Sequence, residues 1–207
     1  MTTQESAPFT PRPEGPDFIG IGVPRSGTTW LAECLAQHPQ VYIHTKEIAF
    51  FTRHFYKGYR WYHNFFRDKG TRFAGDMTPS YFITPRDSSW KKEFYPHFNP
   101  RRALLFWQRT PAVRDEIVRK YPGIKVFVLF RDPAERAWSH YWKWRNRKDK
   151  LGKRYVPFEK MFEEDGRWLR STGYYDLFLE RWRSVFPEMG VFFFDDLKAD
   201  GRADGPS

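Results

Sequence analysis

A short loop between an apolar run and a predicted helix has the residue types of an anion-binding site. Residues 17–23 read Asp-Phe-Ile-Gly-Ile-Gly-Val, and the chain then turns at Pro24 and restarts as a helix at Thr28. Backbone N–H groups at a helix N-terminus have no partners within the helix, and the helix dipole favours negative charge there. A cation and three hydroxyls lie in the same stretch, on Arg25, Ser26, Thr28 and Thr29. The loop therefore predicts a phosphate or sulfate site.

The spacing of Gly22 and Gly27 is that of a P-loop, but the lysine expected after the second glycine is replaced by Thr28. A nucleoside triphosphatase needs that lysine on the β- and γ-phosphates, whereas here the cation, Arg25, precedes Gly27 by two residues. An acidic metal-binding strand end is also not evident. These departures argue against ATP or GTP hydrolysis and make a P-loop kinase the weakest candidate.

A second candidate is a strand that ends in a cation and leads into a helix. Residues 125–130 form a near-continuous apolar run, typical of a buried parallel strand, and Arg131 follows. Ser139 lies two helical turns later and can face the same way, so that the pair suits another phosphate. Alternatively, Arg131 is a surface arginine paired with Asp132 or Glu135, and Ser139 is a neutral helix position.

The elements that must position these residues alternate along the chain. We predict strands and helices in the following order: strand 17–23, helix 28–37, strand 41–43, a strand beginning near 72, helix 110–120, strand 125–130, helix 133–147, helix 171–186 and strand 191–194. Strands that alternate with helices imply right-handed crossovers and a parallel sheet. The fold class is therefore α/β, a P-loop-like three-layer domain with a central parallel sheet flanked by helices.

Composition supports one globular domain. The 207 residues are 20% aromatic and 40% hydrophobic, which argues against a disordered chain, and the formal charge of +10 suits an anionic partner without selecting one. The single cysteine, Cys34, excludes an internal disulfide and makes a cytoplasmic setting the default. No apolar run approaches the roughly 20 residues needed to span a bilayer.

Both ends of the chain differ in composition from its middle. Residues 1–16 carry four prolines and no apolar core, so we predict a flexible N-terminal tail before a domain at 17–198. Residues 199–207, Ala-Asp-Gly-Arg-Ala-Asp-Gly-Pro-Ser, predict a flexible C-terminal tail or a truncation point.

The loop and the strand–helix segment together resemble a known family. Residues 24–31, Pro-Arg-Ser-Gly-Thr-Thr-Trp-Leu, are similar to the 5′-phosphosulfate-binding loop of sulfotransferases that use 3′-phosphoadenosine 5′-phosphosulfate (PAPS), with Arg25 at a position that is usually lysine. Residues 125–141, which contain Arg131 and Ser139, resemble the 3′-phosphate-binding segment of the same family. The two motifs occur in the family's order, about a hundred residues apart. The resemblance also implies that Trp30 packs on adenine, whereas a core position in the first helix is the alternative.

A third segment resembles the heparan-sulfate branch of that family. Lys46 and Glu47 open a Lys-Glu-Ile-Ala-Phe-Phe segment similar to the branch's Lys-Glu-x-x-Phe-Phe. By resemblance Glu47 is the general base and Lys46 belongs to the catalytic group, while an ion pair of Glu47 with Lys46 or Arg53 is the alternative.

The chain departs from the resembled pattern in two further places. The branch commonly has lysine where this chain has Met77. Asp76 beside it could then be a second acid, or it could only end a strand. Relatives also continue with a basic glycine-containing loop that closes over the nucleotide, and residues 199–207 contain nothing like it.

The implied function is transfer of a sulfuryl group from PAPS to a hydroxyl or amine, with a glycan or small alcohol as candidate acceptor, without a metal and without nucleic acid. One alternative is a catalytically degenerate protein that binds PAP, the desulfated product, or a related nucleotide. A weaker one is a basic polyanion-binding protein, based on charge alone. The aromatic and basic stretch 50–66 could stack on sugars or bases, but we favour a short helix that buries its aromatic residues.

Overall fold

The computed structural model describes residues 10–45, 47–83, 112–150, 156–164, 169–170 and 172–200. Lys46 lies outside the described residues, as do residues 84–106, where the sequence shows no clean periodicity and predicts an excursion with short helices. The same is true of the outer parts of both predicted tails, residues 1–9 and 201–207.

A parallel sheet of five strands forms the centre of the domain, as the sequence predicts. The strands are β1 Phe18–Gly20, β2 Val41–Tyr42, β3 Phe73–Met77, β4 Lys125–Phe130 and β5 Gly190–Phe193, in the order β2-β3-β1-β4-β5. Ile19 in the middle of β1 lies opposite Asp76 on one side and Val126 on the other. Pairing with β4 continues beyond β1, because Val23 N–H donates to Leu129 O at 2.9 Å. The loop after β1 therefore leaves from the centre of the sheet.

Helices connect and cover the strands. Their bounds are α1 Thr28–Ala36, α2 Gly58–His63, α3 Val113–Lys120, α4 Pro133–Asp149, α5 Phe158–Glu164, α6 Tyr175–Arg183 and α7 Phe194–Asp200. A π-helix, Phe50–His54, and the 3-10 helices Phe55–Lys57, Asn64–Lys69 and Pro79–Tyr81 complete the described elements. Asp132 caps the N-terminus of α4, since Glu135 N–H donates to Asp132 Oδ1 at 2.9 Å. No described helix combines the length and apolarity that crossing a bilayer requires.

The aromatic stretch 50–66 belongs mainly to the core. Phe50 and Tyr62 are fully buried and stack with ring centroids 4.4 Å apart, and Phe51 and Phe66 are also buried. These rings cover the sheet face that carries the buried Ile19, Ile21, Val126 and Val128. Arg53, Lys57 and Arg60 are exposed. The prediction that this stretch buries its aromatic residues is thus confirmed for Phe66, whereas Trp61 and Phe65 are only partly buried.

A buried ion pair holds the entry to β1 at the amino edge of the sheet. Lys69 Nζ lies 2.9 Å from Asp17 Oδ2 and 3.1 Å from Gly15 O. Asp17 Oδ2 also accepts the N–H of Ala74 in β3 at 2.8 Å. Gly15 and Pro16 are buried, so the last residues of the predicted N-terminal tail pack against the domain.

Candidate anion-binding site at the carboxyl edge of the sheet

The loop between β1 and α1 has the backbone of a tight anion-binding turn. Arg25 and Gly27 have φ values of +76° and +83°, and Ser26 N–H donates to Val23 O at 3.2 Å. A Cβ on Gly27 would lie 2.4 Å from Cε2 of Phe194, so glycine is required there for close packing as well as for backbone conformation. Helix α1 begins at the next residue, which places its N-terminal N–H groups at this loop.

The structure joins the two predicted phosphate motifs through one side-chain contact. Arg25 Nε and Nη2 lie 3.1 and 3.0 Å from Ser139 Oγ, although the two residues are 114 positions apart. Ser139 accepts both hydrogen bonds through oxygen, so its own O–H stays available as a donor. Arg25 likewise keeps N–H groups beyond those two bonds. A cation and a hydroxyl from separate elements therefore meet at the carboxyl edge of the sheet.

Arg131 lies at the same edge but is held in an ion pair. Its Nη2 and Nε lie 2.8 and 2.9 Å from Glu135 Oε2, which is the pairing that the sequence analysis gave as an alternative. The guanidinium carbon is 5.2 Å from the centroid of the Phe194 ring. Phe194 therefore contacts both predicted phosphate segments.

The hydroxyls of the loop differ in exposure. Ser26 is fully buried and Thr28 is 9% exposed, whereas Thr29 is exposed. Trp30 is 46% exposed, so the alternative of a core position for its ring is wrong. The buried residues of α1 are the small Thr28 and Ala32, which let the helix approach the sheet closely.

Buried groups behind the loop carry positive charge and polar contacts that the sequence analysis missed. Arg136 is fully buried and donates from Nη2 to Leu169 O at 2.5 Å. Burial, followed by the charges of Arg136, Arg25 and Lys143, lowers the pKa of His140 to about 4. Its imidazole is therefore neutral at pH 7. The spacing of Arg136 and His140, four residues apart on a helix beside Ser139, is the signal that could have indicated this cluster.

Tyr175 and Phe194 also contact the candidate site, although the sequence did not predict them as site residues. The Tyr175 hydroxyl donates to the backbone oxygen of Arg131 at 2.9 Å, and its ring stacks on Phe130 at 4.4 Å. Phe194 was assigned to the last strand, but it begins α7. The two acidic residues that follow Phe194 are typical of a first helical turn and could have marked that helix start.

Glu47 follows β2 in the chain and lies at the end of β3, on the other side of β1 from β4. Its φ is +59°, and its N–H donates to Met77 O at 2.8 Å, which ties this segment to the end of β3. The side chain is exposed. Of the ion pairs formed within the described ranges none involves Glu47, so the alternative of a pair with Arg53 is not observed.

Asp76, considered as a second acid, is a structural carboxylate. It is fully buried and accepts hydrogen bonds from the hydroxyls of Thr78, Tyr62 and Tyr81 at 2.6, 2.7 and 2.9 Å. Burial raises the pKa of Asp76, and the three hydrogen bonds oppose that rise. The side chain of the adjacent Met77 is also buried. It packs against Gly20, where an added Cβ would lie 2.6 Å from the Met77 sulfur.

No group of three or more His, Cys, Asp and Glu side chains in the described segments has the arrangement of a metal site. The described candidate site consists of loop N–H groups, two arginines, hydroxyls and two exposed carboxylates, namely Glu47 and the Glu135 that pairs with Arg131. Such a set can bind two anionic groups and accept a proton.

Comparison with known proteins identifies the family to which the chain is similar. The model of the sulfotransferase family matches residues 16–200. The membrane-associated sulfotransferase kil1 of Dictyostelium discoideum is 31% identical over 160 residues, which cover 72% of this chain and 28% of the relative. Heparan sulfate glucosamine 3-O-sulfotransferase 5 of Mus musculus is 28% identical over 186 residues, which cover 83% of this chain and 45% of the relative. The chain thus spans less than half the length of these two curated relatives.

One solved structure has the same fold. The crystal structure of a sulfotransferase from Alicyclobacillus acidocaldarius superposes with a TM-score of 0.66 at 22% identity, covering 90% of this chain and 76% of the other. At that identity the similarity establishes the architecture of the sheet and helices.

Proposed function

This chain belongs to the sulfotransferase family, and we propose that it transfers a sulfuryl group from PAPS to a hydroxyl or amine of an acceptor. The observation that carries the proposal is the contact between Arg25 and Ser139. It brings together the loop that resembles a 5′-phosphosulfate site and the helix that resembles a 3′-phosphate site. Two separate anion sites at one edge of a sheet fit a nucleotide phosphorylated at both positions.

The residues present fit both ends of PAPS. The loop that requires glycine at position 27 offers α1 N–H groups and Arg25 to the 5′-phosphosulfate. Arg131 and the Ser139 hydroxyl face the same edge and suit the 3′-phosphate. The exposed ring of Trp30 offers a surface for adenine.

Bound PAPS supplies an activated sulfuryl group, and the protein supplies positioning and charge. Arg25 stabilises negative charge that develops on the 5′-phosphate as the sulfuryl group leaves, but a guanidinium does not readily donate a proton to the leaving group. Glu47 accepts the proton of the attacking hydroxyl or amine. Lys46 adds a cation beside it in the sequence. The bond from sulfur to the acceptor atom forms as the bond to the 5′-phosphate oxygen breaks.

The acceptor class is a further part of the proposal. Because one matched relative is a heparan sulfate glucosamine 3-O-sulfotransferase, a sugar hydroxyl is the first acceptor to test. Small alcohols and amines follow. We also keep a cytoplasmic location as a prediction, based on the single cysteine, Cys34.

Binding of PAP tests the donor site. Because PAP carries both phosphates, we expect it to raise the melting temperature of the protein, and we expect Arg131→Ala to cancel most of the rise. Arg183→Ala, which removes an exposed arginine of α6, serves as the matched control and keeps the rise. No shift at saturating PAP contradicts the donor assignment.

Turnover separates an enzyme from a nucleotide-binding relative without catalysis. We expect PAPS consumption with at least one acceptor in a panel of oligosaccharides, alcohols and amines. PAP binding without consumption across that panel favours the degenerate alternative. Binding to any polyanion with a steep salt dependence and no preference for adenosine favours the polyanion-binding alternative.

A further inference from the structure

Glu135 forms an ion pair with Arg131, the cation that the proposed function assigns to the 3′-phosphate of the nucleotide. Both Arg131 Nη2 and Nε point at one oxygen, Glu135 Oε2, at 2.8 and 2.9 Å. The Arg131 side chain is 23% exposed and that of Glu135 is 51% exposed. An anion that reaches Arg131 therefore meets a guanidinium whose charge is already balanced by a carboxylate.

We propose, on the basis of the proposed function, that Glu135 competes with the nucleotide 3′-phosphate for Arg131. A phosphate carries more charge than a carboxylate and can displace it from an arginine. Glu135 is half exposed in the first turns of α4, so its carboxylate can turn to solvent when the nucleotide binds. When the nucleotide departs, the same carboxylate returns to Arg131. Glu135 thus weakens the hold on PAP and speeds its release.

Glu135 could instead support Arg131 by orienting its guanidinium, but the contacts of Arg131 favour competition. The backbone of Arg131 is fixed by the Tyr175 hydroxyl, which donates to its carbonyl oxygen at 2.9 Å. Its guanidinium also packs against the Phe194 ring, 5.2 Å from the centroid. These two contacts hold Arg131 without a contribution from Glu135.

The size of the effect follows from the exposure of the pair. Partly exposed ion pairs contribute little in water because solvent and salt screen them. We expect Glu135→Gln to tighten PAP binding about 2- to 5-fold, with a slower dissociation rate of similar factor. High salt should reduce the difference between the variant and the unaltered protein.

The test compares PAP with adenosine 5′-phosphate, which lacks the 3′-phosphate. Titration calorimetry and stopped-flow displacement are performed on the full chain and on Glu135→Gln. We expect tighter binding and slower release for PAP alone, with adenosine 5′-phosphate unchanged. Glu135→Asp keeps a carboxylate and should restore part of the faster release. Glu159→Gln removes an exposed carboxylate of α5 and serves as the matched control, with no change for either ligand.

Two outcomes overturn the competition. Weaker PAP binding by Glu135→Gln assigns Glu135 to support of Arg131, and equal tightening of both nucleotides makes the effect independent of the 3′-phosphate. Failure of the unaltered protein to bind PAP is a different result, since it removes the proposed function itself and the inference with it.

Discussion

Asp76 and Glu47 are carboxylates tied to the end of the same strand, and their surroundings give them different roles. Asp76 is enclosed by three hydroxyls and has no exposed surface. The Glu47 side chain is exposed, and its backbone N–H is fixed to Met77 O at 2.8 Å. Residue type alone does not distinguish them, because the difference arises from which side chains the fold brings around each one.

Removal of the Asp76 carboxylate should destabilise the fold strongly. In Asp76→Ala the hydroxyls of Thr78, Tyr62 and Tyr81 lose a buried acceptor, so we expect a loss of about 3–5 kcal/mol in the free energy of unfolding. Urea denaturation at pH 7 measures it. Asp68→Ala, at an exposed carboxylate 3.6 Å from Arg67, is the control and should change stability by less than about 0.5 kcal/mol. Similar losses for both variants contradict the structural role.

Asp76 should also make stability depend on pH in an unusual direction. Burial raises the pKa of Asp76 above its ordinary 3.8 in the folded state, so the folded protein binds more protons than the unfolded chain between these two pKa values. The contribution of this group to stability is therefore fully present below pH 3.8 and is lost as the pH rises through the raised pKa. The free energy of unfolding is measured against pH for the unaltered protein and for Asp76→Asn, and the difference between the two curves gives the contribution of Asp76. We expect this difference to fall as the pH rises, and a difference that grows with pH contradicts the prediction.

Glu47→Gln should abolish transfer and leave nucleotide binding intact. An amide keeps the shape of the side chain but cannot accept the proton, so we expect turnover to fall at least about 100-fold while PAP still raises the melting temperature. Glu33→Gln, at an exposed position of α1, is the control. Retained turnover assigns the base to another group, and His44, exposed just after β2, is then the next candidate.

At the level of elements, the β1 loop is defined by two constraints on one glycine. Gly27 has a positive φ, and the Phe194 ring at the start of α7 occupies the space that a Cβ needs. The last described helix therefore helps to fix the shape of the loop that begins α1. This coupling connects β5 to the candidate site through packing.

Gly27→Ala should cost more than backbone strain alone. Gly123 also has a positive φ, +70°, but a Cβ there meets nothing within 4 Å, so Gly123→Ala measures the strain of a positive φ alone, about 1 kcal/mol. We expect Gly27→Ala to cost about 2–4 kcal/mol because the ring must move, and to weaken PAP binding. Thermal denaturation and PAP titration measure the two effects. A cost for Gly27→Ala that is equal in the Phe194→Ala background rules out the ring contact as the cause.

The elements were predictable from the sequence, whereas several side-chain environments were not. The run from Lys125 to Phe130 is a strand at the predicted bounds. A short, nearly continuous apolar run between turns is typical of a parallel strand that is buried on both faces. Trp30 occupies an apolar position in the helical pattern, yet it is half exposed, since the sheet contacts α1 through its small residues. The hydrogen bond from Tyr62 in α2 to Asp76 and the contact of Phe194 with Gly27 join separate elements, and local patterns carry no information on such contacts.

In the whole molecule, the two edges of the sheet differ: a buried ion pair stabilises the amino edge, and polar candidate site residues lie at the carboxyl edge. Lys69 and Asp17, 4% and 0% exposed, hold the entry to β1 at the first edge, while the β1 loop, Arg131 and Glu47 lie at the second. Stability and binding should therefore respond to different substitutions.

Lys69→Met tests that separation. It leaves the buried Asp17 carboxylate without its cation, so we expect a loss of about 3–5 kcal/mol in stability. The affinity of the remaining folded protein for PAP should not change. Lys150→Met, at an exposed lysine, is the control, with neither effect. Chemical denaturation gives the stability and calorimetry below the transition gives the affinity; a large affinity change at unchanged fold contradicts the separation.

The hydrogen bonds between Arg25 and Ser139 also have a consequence for the order of events during folding. They join residues 114 positions apart, and closing so long a stretch of chain costs entropy that local contacts do not recover. The β1 loop can turn early, but its arginine reaches the serine only after β4 has paired with β1 and α4 has docked. Refolding in the presence of PAP should therefore leave the early phases unchanged and slow only the reverse, unfolding reaction.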